Sequence, residues 1–162
     1  MEHSSRTYQS FRIRRMDLRE FSEFVQSCIN PIITASQTFD GMKEPLTSED
    51  KIQYFISENV ITSLDIVDEC CRKFHDNIEF STYLPLTVVP FLLPLLALLK
   101  KAIVQAAYAR IFITRSKSDK EYVCHNLEEM NILKGICDEL VVQARFILQK
   151  ARFQEKILKQ AG

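Results

Sequence analysis

Residues 80–110 read FSTYLPLTVVPFLLPLLALLKKAIVQAAYAR, and the placement of this stretch decides the fold. From Phe80 to Leu99 there is no charge, and Lys100 and Lys101 follow at once. A helix of about twenty residues, at about 1.5 Å per residue, would just cross the hydrocarbon core of a bilayer. The prolines argue against that. Pro85, Pro90 and Pro94 each remove a backbone donor, and lipid offers no water to satisfy the carbonyls left behind. They suit a different arrangement: a turn or short irregular helix over 81–93, then a helix over 94–115 with Pro94 in its first turn. That helix is apolar nearly all round from Leu95 to Leu99. Farther along, Leu96, Leu99, Ile103, Ala106 and Ala107 share one side, with Lys101 and Gln105 elsewhere. A helix apolar on every side is ordinarily surrounded by neighbours, so the expectation is a buried centre of a soluble core.

Three other helices are available to surround it. The first spans Asp17–Phe39, where Leu18, Phe21, Val25, Cys28, Ile29 and Ile32 recur at three- and four-residue steps and share a face. Pro31 lies inside that pattern and predicts a kink or an end. A loop with Gly41 and Pro45 follows. The second helix has Thr47 as candidate N-cap and Ser48, Glu49 and Asp50 in its first turn. Its stripe is Val60, Leu64, Val67, Cys71 and Phe74, with Ile56 on the shoulder, and it is expected to fade near His75–Asn77. The last helix opens on the capping box Ser118-Asp119-Lys120-Glu121 and runs to about Gln160, with Gly135 as a soft spot inside an unbroken apolar phase.

Composition agrees with an all-helical protein. The chain has 162 residues, enough for one domain with a sizeable core. It is 46% hydrophobic and holds eleven Phe, which excludes a disordered polypeptide, while Gly is scarce and β-branched residues do not alternate. The fold expected is therefore all-α: an antiparallel four-helix bundle over 16–162, with a kinked first helix and a long C-terminal helix. Residues 1–15 precede it as a basic arm in which Arg6, Arg12, Arg14 and Arg15 interleave with Tyr8, Phe11 and Ile13.

Charge is balanced in total, 21 basic against 21 acidic residues, but not along the chain. Residues 40–79 carry four basic and ten acidic groups, whereas 80–162 carry twelve and seven. Such an asymmetry predicts pairing between elements of opposite sign. It does not have the overall basic excess of a nucleic-acid binder.

The chemistry is sparse. There is no Gly-rich phosphate loop. Cys124-His125 and Cys70-Cys71 are neighbours on helices and so point about 100° apart, which prevents them from acting as a pair on one substrate. Glu121 and His125 could touch one ion, but no further Glu-x-x-His completes a site. Asp65, Asp68 and Glu69 read as a solvated face or salt-bridge partners. The five cysteines, without a secretory leader or a Cys-x-x-Cys spacing, read as reduced thiols of a cytoplasmic or nuclear protein. No catalytic residue, metal ligand or cofactor is expected.

The feature most suggestive of function is the last helix, which has two apolar stripes. Met130, Leu133, Cys137, Leu140, Ala144, Leu148 and Ala151 form one, the expected core face. Nearly opposite lie Val142, Phe146, Phe153 and Ile157, flanked by Arg145, Arg152 and Lys156 on one side and by Gln143, Lys150 and Gln154 on the other. Monomers rarely leave large apolar patches open, and aromatic residues with arginine are what interface hot spots favour. The expectation is a non-enzymatic interaction or scaffold module that binds an acidic, apolar partner helix, or forms a homodimer, through this second stripe. The arm's Tyr8, Phe11 and Ile13 covering that stripe is the intramolecular alternative. The alternative function is a membrane-associated or lipid-handling protein that uses segment 80–99.

Overall fold

The computed structural model describes residues 17–43, 58–79, 84–116 and 128–161. They form four helices, α1 (Leu18–Ser36), α2 (Glu58–Glu79), α3 (Leu92–Ser116) and α4 (Glu128–Ala161). Short 3-10 segments, Gln37–Lys43 and Val89–Phe91, follow α1 and precede α3. The packing closes a ring: α1 on α2, α2 on α3, α3 on α4, and α4 back on α1. This is the expected all-α bundle.

The chain directions follow from named pairs. Phe24 meets Phe74 edge-on, with ring centroids 5.6 Å apart, so the start of α1 lies beside the end of α2. Phe91, just before α3, meets Phe146 at 5.4 Å, and Gln105 reaches the carbonyl oxygen of Glu129 at 2.9 Å. Moving forward along α3 thus moves backward along α4.

α1 begins at a reciprocal cap. Asp17 Oδ1 accepts from the Glu20 backbone N–H at 2.7 Å, and Glu20 Oε1 accepts from the Asp17 N–H at 3.2 Å. Two of the orphan donors of the first turn are satisfied in this way. Pro31 does not end the helix, which runs on to Ser36 before tightening into 3-10 turns. The lost Pro31 donor is one bond, while Ile29, Ile32, Ala35 and Phe39 on either side of it are all buried. Burial outweighs the missing bond.

The inner faces are close to those the periodicity implies. Phe21, Val25, Cys28, Ile29 and Ile32 of α1 are buried, as are Val60, Leu64, Val67, Cys71 and Phe74 of α2. α2 does not fade at His75–Asn77 but continues to Glu79, because Ile78 prolongs the stripe into the core. All seven residues of the expected α4 core face are buried, and Ile147 joins them. Gly135 sits inside α4 without interrupting it. The proposed caps at Thr47 and Ser118, the shoulder residue Ile56, the pair Glu121 and His125, and the 1–15 arm all lie outside the described residues.

α3 departs from expectation in its rotation. Residues 86–91 form a turn and a short 3-10 helix, and Pro94 falls in the first turn of α3, as the prolines imply. The buried row, however, is Leu92, Leu95, Leu99, Ala102, Ala106, Ala109 and Ile113. Leu96 is only half-buried and Ala107 is exposed. The helix is not surrounded on all sides. It occupies a corner of the bundle and turns one apolar side outward.

The sequence's charge asymmetry is realised as bridges between elements. Asp65 of α2 pairs with Arg110 of α3, and Lys134 of α4 lies between Asp40 at 3.2 Å and Asp138 at 2.9 Å. Burial alone would lower the Lys134 pKa, and its bonds to Asp138 and Asp40 more than reverse this, holding it above 10.5.

Candidate interaction surfaces

The residues of the second α4 stripe are on the surface. Val142 is 67% exposed, Phe153 63%, Phe146 41% and Ile157 40%, with Arg145, Arg152 and Lys156 exposed along one flank. They do not make a single uniform strip. At about 100° per residue, Phe146 leans toward α3 and Val142 toward α1.

Phe146 is partly engaged by its own chain. Its ring stands edge-on to Phe91, and the Lys150 ammonium sits 5.3 Å from the Phe146 centroid and 5.9 Å from that of Phe91. The positive edge of one ring meets the negative face of the other, and a cation caps both. Val142 instead stands at the lip of a cleft of about 380 Å³ between α1 and α4, which Ile33, Gln37, Asp40, Lys134 and Arg145 also line. Phe153 and Ile157 have neither kind of neighbour among the described contacts.

A second open surface lies on α3. Leu93 is 75% exposed, Ile111 61%, and Val104 and Tyr108 about half, while Leu86 and Val89 extend the patch onto the preceding turn. The signal for it was present in the sequence. Positions 93, 97, 100, 104, 107 and 111 step by four and three, as do the buried positions 92, 95, 99, 102, 106, 109 and 113. Apolar residues occupy both rows, so periodicity alone does not separate an inner from an outer side; Lys100 falls in the outer row.

Titratable groups of the described residues make contacts within the fold. Burial pushes the thiol of Cys71 far above its ordinary value and that of Cys137 to about 12, and Cys28 and Cys70 are raised by burial as well. Such thiols stay protonated and are poor nucleophiles. Asp68 pairs with Arg72 at 2.9 Å along α2. His75 is buried, with Nδ1 3.1 Å from Asp76; Nε2 lies 3.3 Å from Glu79 Oε1 without the alignment of a hydrogen bond. Among the described residues no group of three or more His, Cys, Asp or Glu is placed to hold a metal ion.

No protein-family model, curated protein or solved structure matches this chain.

Proposed function

We propose that this protein is a non-enzymatic interaction module, and that α4 is its docking element for an amphipathic helix with an acidic flank. The observation that carries the reading is the exposure of Val142, Phe146, Phe153 and Ile157 beside Arg145, Arg152 and Lys156. Apolar side chains at one helical face supply burial, and cations along its edge supply orientation and faster encounter with a negative partner. From Leu140 onward, α4 carries Arg145, Lys150, Arg152, Lys156 and Lys159 against Glu155 alone. This imbalance favours an acidic partner over a second α4, whose cations would face these.

Position-specific photocrosslinking tests the proposal. A benzophenone side chain at position 153 should give discrete adducts in cells, and the same group at exposed position 69 on α2 should not. Phe153→Asp combined with Val142→Asp should remove the adducts formed from position 157 while leaving the circular dichroism spectrum unchanged. Equal crosslinking from positions 153 and 69, or adducts that survive the double substitution, would overturn the reading.

A further inference from the structure

The helix α3 has an outward apolar side that neither the bundle nor the α4 surface uses. Val89–Arg115 is long and apolar enough to cross a bilayer, yet only 28% of its most apolar window is buried in the fold. Spanning is excluded by what the other side does. Leu95, Leu99, Ala102, Ala106 and Ile113 are committed to the core, and Arg110 is paired with Asp65 of α2. A spanning α3 would have to carry that ion pair and the polar surfaces of its neighbours into lipid.

We propose that the outer face of α3 docks on an anionic membrane surface, with the helix lying in the interfacial plane. The occupant follows from charge and shape. Between Leu84 and Ser116 there is no Asp or Glu, and the charged residues are Lys100, Lys101, Arg110 and Arg115. On a helical projection Leu93, Ala97, Val104 and Ile111 cluster around one direction; Lys100 falls at one border and Lys101 at the other. Both lysines are exposed. Lysines at the rim of an apolar stripe can lay their methylenes along it and extend their ammonium groups to the phosphate level.

The other occupants lack this complementarity. A second α3 would bring the same lysines together with no acid to answer them. The 1–15 arm is itself cationic, through Arg6, Arg12, Arg14 and Arg15. Leu93, Val104 and Ile111 stand on the ridge of a helix whose hydropathy reaches that of a membrane segment, as that of no other helix among the described residues does. A lipid surface deforms around a ridge and needs no matching groove.

Vesicle flotation of the full chain tests this. Phosphatidylcholine vesicles containing phosphatidylserine should carry the protein upward, and phosphatidylcholine alone should not. Added salt should weaken the binding, and Lys100→Gln and Lys101→Gln should each cost roughly fivefold in partitioning. Val104→Ser with Ile111→Ser should abolish flotation at unchanged helicity. The chain contains no tryptophan, so Val104→Trp supplies a single reporter whose emission should shift to the blue on anionic vesicles. Val142→Asp with Phe153→Asp should float like the parent protein, which separates this surface from the one on α4. The proposal is overturned if anionic vesicles leave both the protein and the reporter unaffected, or if the lysine substitutions change nothing. It is also overturned if Val104→Ser with Ile111→Ser lowers the mass measured by light scattering without vesicles, since a second copy would then occupy the face.

Discussion

Phe146 serves both the fold and the surface, and the two shares can be separated by measurement. It is 41% exposed, so truncation to Ala forfeits rather more than half of a phenylalanine's transfer term. With about 1.5–3 kcal/mol for complete burial, that share is about 1–2 kcal/mol. The edge-on contact with Phe91 at 5.4 Å adds about 0.5–1.5 kcal/mol. Phe146→Ala should therefore cost about 2 kcal/mol, and Phe153→Ala, at 63% exposed, should cost less than about 1 kcal/mol. In a domain of this size, each 1 kcal/mol corresponds to a shift in Tm of about 2–4 °C. Urea unfolding followed by circular dichroism resolves the difference, and the cycle Phe91→Leu, Phe146→Leu and the double variant isolates the ring pair, with an expected coupling of about 0.5–1.5 kcal/mol. A Phe153→Ala cost equal to that of Phe146→Ala, or a coupling indistinguishable from zero, would refute the assignment of Phe146 to both roles. The consequence for binding studies is direct. A loss of partner in a Phe146 variant mixes stability with contact, and a Phe153 variant carries the smaller stability share.

Three further predictions concern the bundle itself. Gly135→Ala should stabilise the protein by about 0.5–1 kcal/mol in urea titration, because a Cβ there meets nothing within 4 Å and the helix loses a flexible residue from its unfolded state. Asp17→Ala should cost about 1 kcal/mol and expose the first turn of α1 to faster amide exchange, since the Glu20 N–H loses its side-chain acceptor. The buried thiols predict a loss of stability in alkali: Cys71 and Cys137 keep their protons in the native state while the unfolded chain releases them near 9.0. Their contribution is complete below 9.0 and declines as pH rises toward the native value, about 12 for Cys137, at up to about 1.4 kcal/mol per pH unit for each thiol. Lys134, also raised, adds its own loss only above 10.5, so Cys71→Ala and Cys137→Ala should flatten the slope just above 9.0 if the thiols cause it. A slope unchanged in both variants would assign the alkaline loss elsewhere.

The helices that carry polar residues on one side could be oriented from composition alone. Val60, Leu64, Val67, Cys71 and Phe74 recur against Asp65, Glu69 and Arg72, and only one rotation buries the first set without the second. The same holds for Met130 to Ala151 on α4 and for Leu18 to Ile32 on α1. The opposite charges of segments 40–79 and 80–162 likewise foretold bridges such as Asp65–Arg110 and Asp40–Lys134. The exposed α4 stripe was legible for the same reason: Arg145, Arg152 and Lys156 interrupt the apolar positions and separate two faces. What the linear pattern did not convey was that Phe146 leans on Phe91, more than fifty positions away in sequence.

α3 marks the boundary of what periodicity can decide. Its residues dictated a helix, and its prolines dictated where that helix begins, because both are local consequences of backbone geometry. Its rotation was not local. Leu92, Leu95 and Leu99 lie on one side and Leu93, Ala97 and Val104 on another, so apolar residues alone do not fix the rotation, and the row that contains Lys100 is the one left outside. The packing of α2 and α4, with Asp65 drawing Arg110 to one flank and Glu129 holding Gln105 on the other, fixes the row that is buried and leaves its counterpart, with Lys100, facing outward.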